Sequence, residues 1–371
     1  MIGAIEGAPK RTPLFDAQRS LGARFREAFG WEMVASYGDP RDECRKVRAA
    51  AGLIDLSFLG AIKVWGREAV QFLNGLVTND VKSLNRGQGM RAAFLTPHGK
   101  VRALCRVLSL GEEFLIENDP HTHAKVYSYI EPFSRAGDFK LEDVSDSYCA
   151  ISVQGPNSYR VLKEVCFEPV PQLSEHHWIE TIIGGERVIV VKASRTGDPG
   201  YDLLVPASGL KDVWDFLLLK GSFHSLIPFG LEALDILRIE AGVPVYGIDV
   251  DESNMMLEVG LADAVSFTKG CYTGQEAVAK ATYRGHVSKK LSGLAVASDR
   301  PPDRGDRIFK DDKDIGYVTS AIFSETLGAV IAMGYIKYGF FDPGTSVKIR
   351  TSIGLLPATV VELPFYRSPH R

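Results

Sequence analysis

FTKGCYTGQEAVAKATYRG, residues 267–285, is where the pattern of the chain changes. Inside it, TGQEAVAKA reads as a helix, with Thr273 placed to cap its start and Gln275 and Glu276 in its first turn. From Lys289 onward helical patterns vanish. The sequence breaks into KLSGLAVAS, RIFK, IGYVTSAIF, GAVIAMGYI, SVKIR and ATVVELPF, with turn signals such as KDDKD and DPG between them. Short strands at close spacing with no helix among them predict a small all-β barrel or sandwich. The expected organisation is a body over residues 1–285 and an all-β domain over residues 286–371.

Toward the N-terminus the pattern is mixed. Helices are predicted over residues 18–29 and 42–51, the second ending at Gly52, the residue type that best tolerates a left-handed helix end. A strand AIKVWG and a helix REAVQFLNGLV follow. Residues 90–95 and 101–108 read as strands joined by the turn TPHGK, then FLIEN as a strand and HAKVYSYIEPF as a helix. From Phe139 the order restarts: strands FKLEDVS and YCAISVQG, helix NSYRVLKEV, strands ERVIVVKAS and YDLLVP, helix LKDVWDFLLLK. Two successive units of this kind predict an α+β fold of two related subdomains followed by the β domain.

The 371 residues carry a formal charge of −3. That leaves no global basic field to hold nucleic acid. The five cysteines, Cys44, Cys105, Cys149, Cys166 and Cys271, are odd in number and scattered. This pattern suits a reducing compartment better than a disulfide framework, and no pair has zinc-site spacing. MIGAIEGAPKRTPLFDAQ lacks the apolar run of a leader. No apolar segment reaches the ~20 residues of a membrane span, since LEALDILRIEAGVPV is broken by Glu232, Asp235, Arg238 and Glu240. A soluble, cytoplasmic protein with no membrane partner and no bound metal is expected.

Cys271 sits just before the 273–281 helical run. The positive end of that helix and the charge of Lys269 both favour thiolate, which suits a nucleophile, a redox thiol or a metal ligand. A buried structural cysteine accounts for the same spacing. In RTGDPGYD, residues 195–202, Asp198 and Asp202 are carboxylates able to take paired N–H groups of a ligand, or are turn residues facing water. Arg238 lies in a largely apolar helix and needs a partner: Asp235, Asp42, Glu43 or a ligand carboxylate. Asn118 and Asp119 follow a strand at its C-terminal end, a place for site residues or, as a plainer account, for a turn. The phosphate-loop, nucleophile-elbow and dinucleotide glycine patterns are absent. From the residues alone a reaction does not follow.

Over nearly its full length the chain resembles the folate-dependent T-protein of the glycine cleavage system, an aminomethyltransferase. The resemblance is carried by TPLFDAQRSLGARF, GWEM, VRAAAGLIDLS, VTNDV, VQGP, RTGDPGYDLLVP, LRIEAGVPVYGIDVDE, VTSAIFSETLGAVIAMGYI and VELPFY. It implies two interleaved α+β subdomains forming a folate-binding body, a C-terminal β barrel, and tetrahydrofolate or a one-carbon derivative as cofactor. It places Asn118, Asp202, Arg238 and Asp80 among the cofactor-binding residues. In T-protein the 269–278 run usually reads K-x-x-F-I-G-x-E-A-L. KGCYTGQEAVAKATYRG instead resembles the YgfZ-type relatives, folate-binding proteins that support iron–sulfur cluster assembly or repair. That resemblance implies a working Cys271 with Lys269, and iron–sulfur assembly proteins or client enzymes as partners.

Three departures from the T-protein pattern accompany this. The family's catalytic aspartate falls on Ala103, with its neighbour on Leu104. The first arginine of its G-x-x-A-R-D-x-L-R helix becomes Leu234, and the tyrosine before its T-G becomes Arg195. The expectation at this point is the YgfZ-type accessory function. The alternative is a tetrahydrofolate-dependent aminomethyltransferase or a related demethylase.

Overall fold

Alternating apolar residues in Tyr148–Gln154 and Gly200–Pro206 pair these strands at the centre of a sheet in the computed structural model, which describes residues 8–283 and 285–370. Residues 1–7 of the stretch read for a leader, and Arg284, lie outside the described residues. The chain divides into two units that do not follow its linear order. The first takes the chain up to Lys63 and Glu142–Asp235; the second takes Val64–Leu141 and Ile236–Pro369. The chain passes between them inside the strand Gly60–Trp65, inside the strand Lys140–Asp143 and inside the helix Leu231–Glu240.

In the first unit a six-stranded sheet runs in the order Trp178–Ile183, Glu186–Lys192, Gly200–Pro206, Tyr148–Gln154, Ala51–Asp55, Leu226–Pro228. All neighbours are antiparallel except the last pair. One face buries Leu53, Ile151, Val153, Leu203 and Val205 under Val161 and Leu162 of the helix Ser158–Val165 and Trp214 and Leu217 of the helix Leu210–Gly221. Burial of each such side chain contributes about 1.5–3 kcal/mol.

Two sequence expectations are corrected here. Residues 18–29 are not one helix. A helix Phe15–Ser20 ends before Gly22, at φ +84°, and Arg24–Ala28 forms a strand against Trp31–Ser36. Phe29 and Gly30, both at positive φ, make the two-residue turn between them. That turn geometry matches the twist of a hairpin, so strand pairing overrides the helical periodicity. Gly52 is not a helix end either. The helix Pro40–Ala49 stops earlier, and Gly52 lies in a strand where a Cβ would come within 2.5 Å of Phe229 and Val47. The strand Trp178–Ile183 went unread.

The second unit holds the neighbouring strands Gly89–Leu95, Val101–Ser109 and Glu113–Asn118. It also holds a closed six-stranded barrel: Lys289–Val296, Ala329–Lys337, Lys313–Ser324, Arg307–Lys310, Ser346–Thr351, Gly354–Val361. Closure leaves no free sheet edge, and Leu294, Ile308, Val318, Val330, Ile336, Ile349 and Val360 fill the interior. The α+β class with a C-terminal barrel is thus the fold observed.

The helix Gln275–Tyr283 is fixed by two glycines. Gly274, at φ +83°, approaches the 96–99 turn so closely that a Cβ would lie 2.6 Å from the Thr96 carbonyl oxygen. A Cβ on Gly99, at φ +73°, would lie 2.6 Å from that of Ala277.

Candidate functional site

In the second unit, Asn118 ends its strand facing Cys105 of the neighbouring strand, and Ala103 is two residues along from Cys105. Side chains alternate along a strand and match across a pair, so Asn118, Cys105 and Ala103 share one face of the sheet. Asn118 is buried. Its Oδ1 lies 3.0 Å from His123 Nδ1, and its Nδ2 has no partner among the described residues. Ala103 is fully buried and brings no acid to this face. Burial pushes the Cys105 thiol far up, so no thiolate stands there.

Lys269 and Asp80 come together near the 77–80 segment. The buried Lys269 Nζ donates to the carbonyl oxygens of Val77, at 2.8 Å, and Asn79, at 2.6 Å. Burial lowers its pKa to about 8; the Asp80 carboxylate works against that fall and Lys82 adds to it. Asp80 itself caps the short turn Val81–Ser83 through Lys82 N–H.

Three further residues of the 269–276 motif have structural partners. Tyr272 is buried with Leu95, Val101 and Val278, the Thr273 N–H donates to the Gly75 carbonyl, and Glu276 pairs with Lys280. Thr273, expected to cap the helix, is instead bonded through its backbone. Cys271 is exposed.

Arg238 is buried and donates to Asp249 at 2.7 Å, Ser320 Oγ at 3.0 Å and the Val243 carbonyl at 3.2 Å. Asp249, a partner the sequence reading did not name, also accepts from Val245 N–H, Thr319 Oγ1 and Ser320 Oγ. The signal for it lay in the GIDVDE run.

In the first unit, Asp202 is fully buried on its strand directly opposite Ser152. Arg195 grips it with two parallel bonds, Nε to Oδ1 at 3.0 Å and Nη2 to Oδ2 at 2.8 Å. Ser152 Oγ donates to Oδ1 at 2.7 Å, Gln154 Nε2 donates to Ser152, and Gln154 Oε1 accepts the Arg195 N–H. Ser152 and Gln154 were missed, although VQGP marked the place. Asp198, read as a ligand carboxylate or a solvated turn residue, is fully buried and holds Arg48 at 2.6 Å. Among the described residues no group of three or more His, Cys, Asp and Glu side chains is placed to hold a metal ion, and no helix is long and apolar enough to cross a membrane.

Two family models cover the chain in order. The GCVT N-terminal domain matches residues 14–269, and the glycine cleavage T-protein C-terminal barrel domain matches residues 289–367. The chain belongs to the glycine cleavage T-protein family. Proteins named aminomethyltransferase are similar to it end to end. That of Halothermothrix orenii is 34% identical, covering 96% of this chain and 99% of its own. That of Thermotoga maritima is 32% identical, covering 98% and 99%, and that of Bacillus subtilis 30% identical, covering 96% and 99%. The crystal structure of the glycine cleavage system aminomethyltransferase T from Bartonella henselae superposes with a TM-score of 0.89 over 96% of this chain and 98% of that one, at 24% identity, and confirms the fold.

These findings correct the YgfZ-type expectation. Full-length identity of this order lies with aminomethyltransferases, so the iron–sulfur accessory function and its partners are set aside. Within KGCYTGQE, Tyr272, Thr273, Gly274 and Glu276 are accounted for by packing, a backbone hydrogen bond, a close backbone approach and a surface ion pair. Tetrahydrofolate is the cofactor of the family. The residues present fit such a group at Asn118, whose buried Nδ2 lacks an acceptor.

Proposed function

We propose that this chain is a tetrahydrofolate-dependent aminomethyltransferase. One observation carries the reading: relatives of that name match at least 96% of this chain and at least 97% of their own length, with both family segments in order. When bound, tetrahydrofolate supplies the nitrogens that take up the one-carbon unit. Asn118 Nδ2 donates to an acceptor atom of the cofactor, relieving a buried donor that otherwise costs about 1–3 kcal/mol. Lys269 holds the 77–80 segment in place through the Val77 and Asn79 carbonyls, and Asp80 caps the turn that follows through the Lys82 N–H. Arg238 acts from within the fold, by fixing Asp249. Asp202 acts through Arg195, so a ligand meets the pair rather than a bare carboxylate.

Position 103 offers a methyl group where the family resemblance puts an acid. Losing such a group typically costs about 10²–10⁴-fold in rate, so slow transfer is expected. The test is methylene-tetrahydrofolate formed from tetrahydrofolate and an aminomethyl-loaded lipoyl carrier. The expected result is slow turnover by the native chain, raised about tenfold or more in Ala103→Asp. No product above the enzyme-free control from either form, beside an active T-protein, would overturn the reading. By calorimetry, Asn118→Leu should weaken tetrahydrofolate binding about tenfold, the worth of one good hydrogen bond.

A further inference from the structure

The second unit contains a cavity of about 170 Å³ lined by Asp249, Asp251, Asn254, Arg304, Tyr317 and Thr319. Its polar atoms divide into those already engaged and those that are not. Asp249 takes four hydrogen bonds and cancels the charge of Arg238, and Thr319 Oγ1 donates to Asp249. Asn254 differs. It is 1% exposed, and its main chain bonds to Val101 and Asp251. Its Oδ1 accepts from the Asp251 N–H at 2.9 Å, yet its Nδ2 has no partner among the described residues. A buried amide donor in that state calls for an acceptor from outside the chain.

Two exposed charges of opposite sign complete the lining. Arg304 gives one N–H to the Gly247 carbonyl at 2.9 Å, out of the five a guanidinium carries. Asp251 Oδ1 takes the Ser253 N–H at 2.7 Å, which leaves further lone pairs on the carboxylate. With Arg238 and Asp249 cancelling, the net charge these residues offer is zero. A phosphate or a polyamine would leave one of the two charges opposed, whereas a small zwitterion satisfies both. Tyr317, Val318 and Ile248 give it an apolar wall. A cavity of about 150 Å³ accommodates benzene, so this one takes a molecule of roughly six to ten heavy atoms.

We infer that this cavity binds a free α-amino acid with a small side chain. Its carboxylate meets Arg304 and Asn254 Nδ2, its ammonium meets Asp251, and its side chain lies against Tyr317. The inference does not depend on the transferase reading.

Isothermal titration of the full chain tests it, with L-alanine and L-serine as probes against L-alaninamide, which lacks the carboxylate, and propionate, which lacks the ammonium. Saturable binding at one site per chain is expected, with a dissociation constant of about 1 mM or below. Both analogues should bind about tenfold more weakly or worse, as should the probes to Asp251→Asn and to Arg304→Gln. The two variants change exposed side chains, so an unaltered melting temperature separates loss of binding from loss of fold. Asn254→Leu is the third variant, read only if it folds. Absence of saturable heat with either probe up to about 20 mM would overturn the inference. So would probe binding equally strong in both variants, or no weaker for the two analogues.

Discussion

Two arginine–aspartate pairs, Arg238–Asp249 in the second unit and Arg195–Asp202 in the first, share a fully buried carboxylate and differ in how far the cation reaches water. In the second unit the Arg238 side chain is 5% exposed and Asp249 fully buried, and the carboxylate accepts four hydrogen bonds. In the first unit Asp202 is equally buried, but the Arg195 side chain is 30% exposed. One cation is walled in and the other has water on one side. A guanidinium with access to water can leave its carboxylate at modest cost, whereas a sealed one cannot. Arg238 is therefore framework. Arg195 is a side chain that a ligand can displace or meet.

The sharpest way to break this contrast is Asp249→Ala. It strands the Arg238 charge, and a loss of about 3–5 kcal/mol in urea unfolding is expected. A loss below about 1 kcal/mol would mean that the pair is no tighter than a surface bridge. Asp202→Asn should cost less, about 1–2 kcal/mol, because Arg195 can turn to water. If that variant keeps its fold but binds tetrahydrofolate tenfold more weakly, the pair lies in the path of the cofactor.

Lys269 extends the comparison to a buried cation held by carbonyls. Its folded pKa, about 8, lies below the ordinary 10.5, so between those pH values the unfolded chain binds more protons. Stability should therefore rise with pH from 8 to 10.5, by about 1 kcal/mol once solvent screening is allowed for. Lys269→Met should remove that rise, as read from unfolding curves at both ends of the window. The smallest effect belongs to exposed Cys271. Cys271→Ser should change stability by no more than about 0.5 kcal/mol and leave turnover within about twofold; a larger loss of turnover would restore a chemical role to the thiol.

The barrel was legible because runs such as GAVIAMGYI and IGYVTSAIF carry their own boundaries in turn residues. The failure at residues 18–29 has a local cause: LGARFREAF has helical periodicity, and only pairing with Trp31–Ser36 reveals the strand. The candidate site was nameable by residue and not by relation. Asp202, Arg238, Lys269 and Asn118 were each proposed through the family resemblance. That Arg195 grips Asp202 across a glycine turn, or that Asp249 answers Arg238 eleven residues on, depends on where the chain folds back. Packing decided the rest. A Gly52 chosen for closeness to Phe229 reads in sequence like a helix stop.

The passage of the chain out of its first unit at Lys63 and back at Glu142 sets a timetable for its synthesis. The strand Ala51–Asp55 leaves the ribosome early, but its antiparallel neighbour Tyr148–Gln154 follows roughly 100 residues later, a wait on the order of 5–20 s at bacterial-to-eukaryotic elongation speeds. Through that interval an apolar strand edge stands open to other nascent chains. The barrel, contiguous from Lys289 to Val361, carries no such delay and can close as soon as it emerges. Chaperone demand should fall on the first half of translation, and synonymous codons that slow residues 56–147 should lower the soluble yield.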